Sequence, residues 1–184
     1  MVDTALWSFG RASGFVALAA LTISVLLGIL TRSGHPLPGL PRFSIQLVHR
    51  NIALISGVFV VLHVGTLILD PFAKLSVLDA VVPFLGQFKP FWQGLGTVAL
   101  DLLIAIVVTG LLRRRIGAGV FRFVHWFTYA MWPIAVLHAI GNGTNSGGPM
   151  ILISIAAAVL IAAAVIWRLG TRFGEAGRLR GGVR

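Results

Sequence analysis

The sequence predicts an all-α membrane protein, a bundle of five transmembrane helices, on three observations. The 184-residue chain is 57% hydrophobic with a mean hydropathy of +0.95, and only 11% of its residues are charged. An average soluble protein has about a quarter charged residues. Five apolar runs are long enough to cross a hydrocarbon core of about 30 Å, which takes about 20 helical residues. The segments between these runs are too short to form a soluble domain.

The predicted spans follow one another along the chain at 10–31, 43–69, 92–112, 119–140 and 149–169. The first span has neither a basic leader nor a small-residue cleavage site, so we expect a retained helix. The 31–42 connection is rich in turn-forming residues. The 70–91 connection contains "SVLDAVVPFLG", which is too short to span and is expected to lie along the membrane interface. The chain has no cysteine, which excludes disulfides and iron–sulfur ligation.

Basic residues are concentrated on one side of this five-span layout. Twelve of the fifteen lie there: Arg32, Arg42, Arg50, Arg113, Arg114, Arg115, Arg122, Arg168, Arg172, Arg178, Arg180 and Arg184. The other side has Arg11, Lys74 and Lys89, together with Asp3, Asp70 and Asp79. By the positive-inside rule, the arginine-rich side faces the cytoplasm. We therefore expect an outside N-terminus and a cytoplasmic C-terminus.

The net charge of +10 is explained by this topology and by contact with anionic lipid, so nucleic acid is not an expected partner. The expected organisation is a membrane domain over residues 1–170, followed by a basic cytoplasmic tail over 171–184. Abundant Ala, Val and Gly, with Arg preferred to Lys, suggest the plasma membrane of a bacterium with GC-rich DNA.

Four of the five histidines lie inside predicted spans, and only His35 lies in a connection. Spans two and four run in the same direction because span three returns the chain between them. His49 and His63 are fourteen residues apart on span two, and His125 and His138 are thirteen apart on span four. These separations correspond to about 21 Å and about 19.5 Å. The histidines therefore form two pairs at matched depths.

The two histidines of span four are not expected to point to the same side of a straight helix. At about 100° per residue, His49 and His63 differ in direction by about 40°, whereas His125 and His138 differ by about 140°. Pro133 lies between the latter two, and we expect a proline kink to reduce the mismatch.

Paired imidazoles at two depths predict two b-type haems. Ionisable residues inside a membrane usually mark function, and neutral imidazole is a good ligand for iron. A haem with one imidazole on each face has no open coordination position, so its chemistry is electron transfer. Zinc is the alternative metal, but it prefers four ligands, and no cysteine or carboxylate lies at either depth. The alternative without a cofactor is that the histidines form hydrogen bonds between helices.

The stretches "VHRNIALISGVFVVLHV" and "VHWFTYAMWPIAVLHAIGNGT" resemble the transmembrane domain shared by ferric reductases and NADPH oxidases. The resemblance covers about residues 10–170. It implies that His49 and His125 hold an inner haem and that His63 and His138 hold an outer one. Family members usually have six helices, and the spans of this chain match helices two to six.

Three departures from the family pattern affect the expected function. The chain ends fifteen residues after the last span, without the module that binds FAD and NADPH in larger members, so the electron donor is expected to be separate. The oxidases have another histidine one turn beyond the outer ligand, where this chain has Leu67, so superoxide production is not carried over. An aromatic residue between the haems of the oxidases is replaced by Met131, with Trp132 beside it.

Five further residues are candidates for the site. Arginines near the ligands are natural partners for anionic haem propionates. Arg50 and Arg122 suit the inner haem, although topology alone also explains them, and Arg11 suits the outer haem or snorkels at the interface. Trp132 is a candidate bridge between haems, with helix packing as its alternative. Asp101, deep in span three, is expected to bond a ligand histidine, carry a proton or bind quinol.

Small residues on spans two and four would let a flat macrocycle approach the backbone, although close helix packing explains them equally well. They are Ala53, Ser56, Gly57, Gly65, Ala130 and Ala135.

The predicted function is electron transfer from the cytoplasmic side to an extracytoplasmic acceptor, as the haem-carrying subunit of an oxidoreductase. A separate flavoprotein or a quinol would be the donor. Ferric iron, an extracytoplasmic flavin or reductase protein, quinone and oxygen are the candidate acceptors. The rival is a transporter or assembly subunit whose histidines line a proton or metal path.

Overall fold

The computed structural model describes residues 2–33, 42–143 and 149–170, and this part of the chain is helical without strands. The helices are α1 (Val2–Ser33), α2 (Arg42–Leu69), α3 (Pro90–Trp126), α4 (Thr128–Asn142) and α5 (Pro149–Gly170). Five segments are long and apolar enough to cross a membrane: Thr4–Thr31, Ser44–Leu69, Pro90–Leu111, Arg113–Asn142 and Ile151–Arg168. The predicted fold class and number of spans are confirmed. The orientation of the termini stays a prediction.

The third and fourth spans are separated close to the predicted position. Although α3 extends from Pro90 to Trp126, it consists of two helical segments that meet at a kink, and the kink lies between the predicted spans 92–112 and 119–140. Gly117 forms this kink with φ 81° and ψ 159°, a backbone conformation that glycine adopts without a side-chain clash. Phe127 then separates α3 from α4. His125 therefore lies on the last turn of α3, and His138 lies on α4. His35 and the predicted tail 171–184 lie outside the described residues.

The hydrophobic core lies among α1, α3, α4 and α5. Its buried members include Leu21 and Ile29 on α1, Leu103 on α3, Trp132 on α4 and Ile161 on α5. Among the α2 residues whose side chains are described, only the partly buried Val60 packs against this core. Helix α1 packs extensively on α2, and α3 on α4, whereas contacts between α2 and α3 are sparse. The histidine-bearing face of α2 therefore faces space between the helix pairs.

The connection between α2 and α3 is built from turns. The backbone N–H and the hydroxyl of Ser76 both donate to Asp79 Oδ2, at 2.9 and 2.7 Å. These donors hold the pKa of Asp79 below its ordinary value of 3.8 because they stabilise the carboxylate. Thr97 on α3 donates to the Asp79 carbonyl at 2.7 Å, which fastens this connection to the bundle. Its large exposed apolar side chains include Phe72, Val77 and Leu78. The predicted location at a membrane interface stays a prediction.

Candidate functional site

The four membrane histidines form two pairs in the structure. The ring centres of His49 and His125 are 6.2 Å apart with an interplanar angle of 86°. Those of His63 and His138 are 6.4 Å apart at 83°. The pairs form although a straight helix would turn His125 and His138 away from each other, since the chain between them is interrupted at Phe127 and contains Pro133. The two pairs therefore have closely similar ring geometry.

Three of these imidazoles are fastened to the carbonyl groups of a neighbouring helix. His63 Nδ1–H donates to the Gly10 carbonyl at 2.7 Å, and His49 Nδ1–H donates to the Ser24 carbonyl at 2.9 Å. On the other side, His138 Nδ1–H donates to the Trp92 carbonyl at 2.9 Å. A carbonyl oxygen can only accept, so Nδ1 carries the proton and Nε2 keeps its lone pair. This is the tautomer in which a histidine binds metal through Nε2.

A glycine follows each of the three acceptor carbonyls by four residues and makes room for the ring. A Cβ atom at Gly14 would lie 2.9 Å from Nδ1 and Cε1 of His63. A Cβ at Gly28 would lie 3.3 Å from His49 Cε1, and one at Gly96 would collide with the His138 ring. In a helix the Cβ leans toward the N-terminus and so over the preceding turn. Only glycine therefore lets an imidazole reach these carbonyls without a shift.

The donor set fits a six-coordinate iron porphyrin better than a tetrahedral metal. A metal between two facing imidazoles, bonded to each at about 2.0 Å, separates the ring centres by about 6 Å. Both pairs have this spacing. Among the described residues, no group of three or more histidine, aspartate or glutamate side chains could hold a metal ion. Each pair therefore offers two imidazole nitrogens that would hold an iron porphyrin, which would supply the other four nitrogens.

Each pair opens onto its own cavity. The cavity at His49 and His125, here called the arginine-lined cavity, has a volume of about 930 Å³. The cavity at His63 and His138, here called the apolar cavity, has a volume of about 460 Å³ and includes Arg11 in its lining. The arginines that line the first cavity are Arg50, Arg113, Arg114, Arg122 and Arg168.

The predicted arginines thus lie beside the pairs to which the sequence assigned them. Arg50 and Arg122 line the arginine-lined cavity, and Arg11 lines the apolar cavity, where its guanidinium lies 4.7 Å from the ring centre of Trp7. Arg168, which the sequence analysis did not select for the site, packs over the rings of Trp126 and Tyr129 and donates to the Tyr129 hydroxyl.

Trp132 lies in the hydrophobic core between the two histidine levels. Its indole N–H donates to the Thr22 hydroxyl on α1 at 3.0 Å, and its side chain is only 5% exposed. The residue lines neither cavity, whereas the neighbouring Met131 lines the apolar one. The structure thus gives Trp132 a helix-packing contact.

Asp101 lies away from both histidine pairs. Its side chain is exposed on α3, and the residue lines neither cavity. A hydrogen bond from Asp101 to a ligand histidine, one of the three roles considered for it, is therefore not present among the described residues. Asp70 has the opposite environment, because it is 2% exposed and lines the apolar cavity. Its Oδ1 accepts the Phe72 backbone N–H at 3.0 Å, and its Oδ2 has no hydrogen-bond partner in the described structure.

The sequence analysis did not identify the glycines beside the rings, although their spacing carried a signal. Gly14 and Gly28 are fourteen residues apart on α1, the same interval as His49 and His63 on α2. Gly96 and Gly110 repeat that interval on α3, and Gly110 lines the arginine-lined cavity with His125. By contrast, Gly57 and Gly65 on α2 line neither cavity and have open space where a Cβ would lie.

Comparison with known proteins gives one match. Residues 13–136 match the family model described as ferric reductase like transmembrane component, about two thirds of the chain. The match includes His49, His63 and His125 and ends two residues before His138. No curated protein and no solved structure matches. Members of this family usually carry haem, and membership suggests transmembrane electron transfer. The chain belongs to the ferric reductase-like transmembrane family.

Proposed function

We propose that this protein conducts electrons across a membrane through two b-type haems, each held by one histidine pair. His49 and His125 would hold one haem, and His63 and His138 the other. The observation that carries this proposal is the presence of two facing imidazole pairs with ring centres 6.2 and 6.4 Å apart. When bound, a bis-imidazole haem supplies one-electron redox chemistry without an open coordination position.

The residues around each pair would fix the axial ligands before a haem binds. The Nδ1–H groups of His49 and His63 are held by carbonyls of α1, and that of His138 by a carbonyl of α3. Such bonds fix the ring orientation, select the tautomer and raise the basicity of the coordinating nitrogen. Since α1, α2, α3 and α4 each carry or orient one of these histidines, iron coordination would also tie the α1–α2 pair to the α3–α4 pair.

The charges at the two cavities suit the propionate groups of haem. Propionates are anionic, and guanidinium groups bind carboxylates with two parallel hydrogen bonds. Arg50 and Arg122, which line the arginine-lined cavity, would bind the propionates of one haem, and Arg11, which lines the apolar cavity, those of the other. The remaining arginines around the first cavity would offer a cationic docking surface to an electron donor on the expected cytoplasmic side.

The two histidine pairs are separated along the bundle, so two haems held by them would together form a path for electrons across it. Fourteen residues of helix separate His49 from His63, which corresponds to about 21 Å. Electrons would enter at the His49–His125 level from a separate flavoprotein or a quinol and leave at the His63–His138 level. The acceptor would be ferric iron, an extracytoplasmic flavin or reductase protein, quinone or oxygen.

Proteoliposomes test the function directly. A membrane-impermeant reductant is added on the arginine-rich side of oriented protein, and a membrane-impermeant ferric chelate is trapped on the other side. We expect reduction of the trapped chelate by wild-type protein, and a large loss of the rate when His63 is replaced by alanine. The matched control is Gly57→Ala, on the same helix but with open space beside it. Haem-loaded wild-type protein that conducts no faster than empty liposomes would refute the proposal.

A further inference from the structure

Asp101 lies at the middle of a membrane span and is directed away from the bundle. The span runs Pro90–Leu111, so the residue is about 16 Å from its first residue and about 15 Å from its last. Its side chain is exposed, and the structure gives it no hydrogen bond or ion pair with the described residues. Intramembrane carboxylates almost always face the protein interior or a water-filled cavity. The position of Asp101 is therefore anomalous for an isolated chain.

The surface around Asp101 is otherwise suited to lipid or to another helix. One and two turns further along α3, Ile104 is 52% exposed and Val108 is 45% exposed. The exposed Ala105 lies on the same face, where its small side chain would let a second helix approach closely. Thr109 also lies near this face, but its hydroxyl donates back to the Ala105 carbonyl at 2.7 Å. The Asp101 carboxyl is thus the one polar group on this part of α3 that lacks a described partner.

The described chain has no cation that could reach Asp101. The nearest basic residues along the chain are Lys89, which immediately precedes α3, and Arg113 on α3; each is twelve residues from Asp101, which is about 18 Å along the helix axis. Arg11, Arg50, Arg122 and Arg168 line one of the two cavities, whereas Asp101 lines neither. A second copy that docked through the same face would bring another carboxyl group to the contact, so it would not neutralise the first. A different molecule with a basic residue would supply the missing counter-charge.

We propose that the α3 face formed by Asp101, Ile104, Ala105 and Val108 docks a transmembrane helix of a different membrane protein. That helix would present a lysine, arginine or protonated histidine at mid-membrane depth, and an ion pair would form within hydrocarbon. Apolar side chains and Ala105 would provide the packing around the pair. This contact is separate from both histidine pairs, so the proposal does not depend on haem binding.

Synthetic transmembrane peptides test the charge preference of this face. The full chain is labelled with a donor dye and reconstituted in liposomes with acceptor-labelled leucine-rich peptides, which carry either one central lysine or leucine only. We expect the lysine peptide to associate with the wild-type chain about 5- to 30-fold more tightly than with Asp101→Asn, the range expected for one polar contact between membrane helices. The leucine peptide should not distinguish the two chains.

Two further measurements keep the proposal falsifiable. An Asp101→Lys chain should reverse the preference and bind a peptide with a central glutamate, and helical content by circular dichroism checks that each variant is folded. Equal binding of the lysine peptide to wild-type and Asp101→Asn chains would overturn the proposal and leave lipid as the neighbour. Asp101-dependent energy transfer between two differently labelled copies of the chain would also overturn it, because the occupant would then be a second copy.

Discussion

Replacement of Gly14 by alanine is expected to weaken binding of the haem proposed at the His63–His138 pair and to leave the haem proposed at the His49–His125 pair in place. A Cβ at this position would lie 2.9 Å from both Nδ1 and Cε1 of His63, closer than real Cβ atoms approach other atoms. The ring must therefore move away from α1. That movement lengthens the 2.7 Å hydrogen bond from His63 to the Gly10 carbonyl, which fixes the ligand orientation.

The size of the effect follows from these two contacts. Overpacking of a well-packed site costs about 1–3 kcal/mol, and a hydrogen bond contributes about 0.5–1.5 kcal/mol. A combined cost of about 2–4 kcal/mol corresponds to about 30- to 1,000-fold weaker haem binding at this level. The His49–His125 level is about 21 Å away, so additivity predicts no change there.

Haem transfer to an excess of a haem-scavenging apoglobin measures this effect. The wild-type protein should lose two haems slowly, whereas Gly14→Ala should lose one haem in a distinctly faster phase and the other at the wild-type rate. Gly57→Ala is the matched control, because a Cβ there meets open space. Transfer kinetics of Gly14→Ala identical to those of wild type and control would show that the His63 ring does not depend on α1 for its position.

Three further results are expected. Gly28→Ala should affect only the His49 level and less than Gly14→Ala does, because its Cβ would lie 3.3 Å from the ring; an equal or larger effect in the same transfer assay would contradict the contact geometry. A double-mutant cycle of Trp132→Phe and Thr22→Val, measured by thermal unfolding in detergent, should give a coupling of about 0.5–1.5 kcal/mol for their 3.0 Å hydrogen bond, and additive effects would deny that bond. Carbon-13 NMR of the Asp79 carboxyl should give a pKa below 3.8, and a midpoint at or above 3.8 would disprove the Ser76 contacts. Because that pKa is lowered on folding, the stabilisation is present above the unfolded value and is lost as the pH falls through the folded value.

The sequence was sufficient to predict the helical spans and the four histidines at two depths because both depend on regular features. Hydrocarbon thickness dictates the length of an apolar run, and a rise of 1.5 Å per residue converts the His49–His63 spacing into a depth. The grouping of His49 with His125 and of His63 with His138 needs only the alternation of helix direction. Periodicity alone could not bring His138 opposite His63, since the change of direction depends on the chain around Phe127 and Pro133.

The sequence could not predict which way a side chain points when that depends on the rotation of a helix about its axis. The sequence places Asp101 deep in span three but does not show which face of the helix carries it, and α3 directs it outward. Of the small residues considered for macrocycle contact, Ala53 and Ala135 line the cavities, whereas Gly57 and Gly65 line neither. The glycines that accommodate the rings belong to the neighbouring helices. A search for a common fourteen-residue interval among histidines and glycines would have identified Gly14 and Gly28.

Low-temperature electron paramagnetic resonance of the oxidised, haem-loaded protein tests the central claim most directly. The imidazole planes of the two pairs cross at 86° and 83°. Nearly perpendicular axial ligands leave two iron d orbitals almost equal in energy, so each haem should give a strongly anisotropic low-spin signal. We predict two such signals, two haems per chain, and loss of one signal when His63 is replaced by alanine. A folded protein without haem, or a haem signal that survives in a chain lacking all four histidines, would contradict the account.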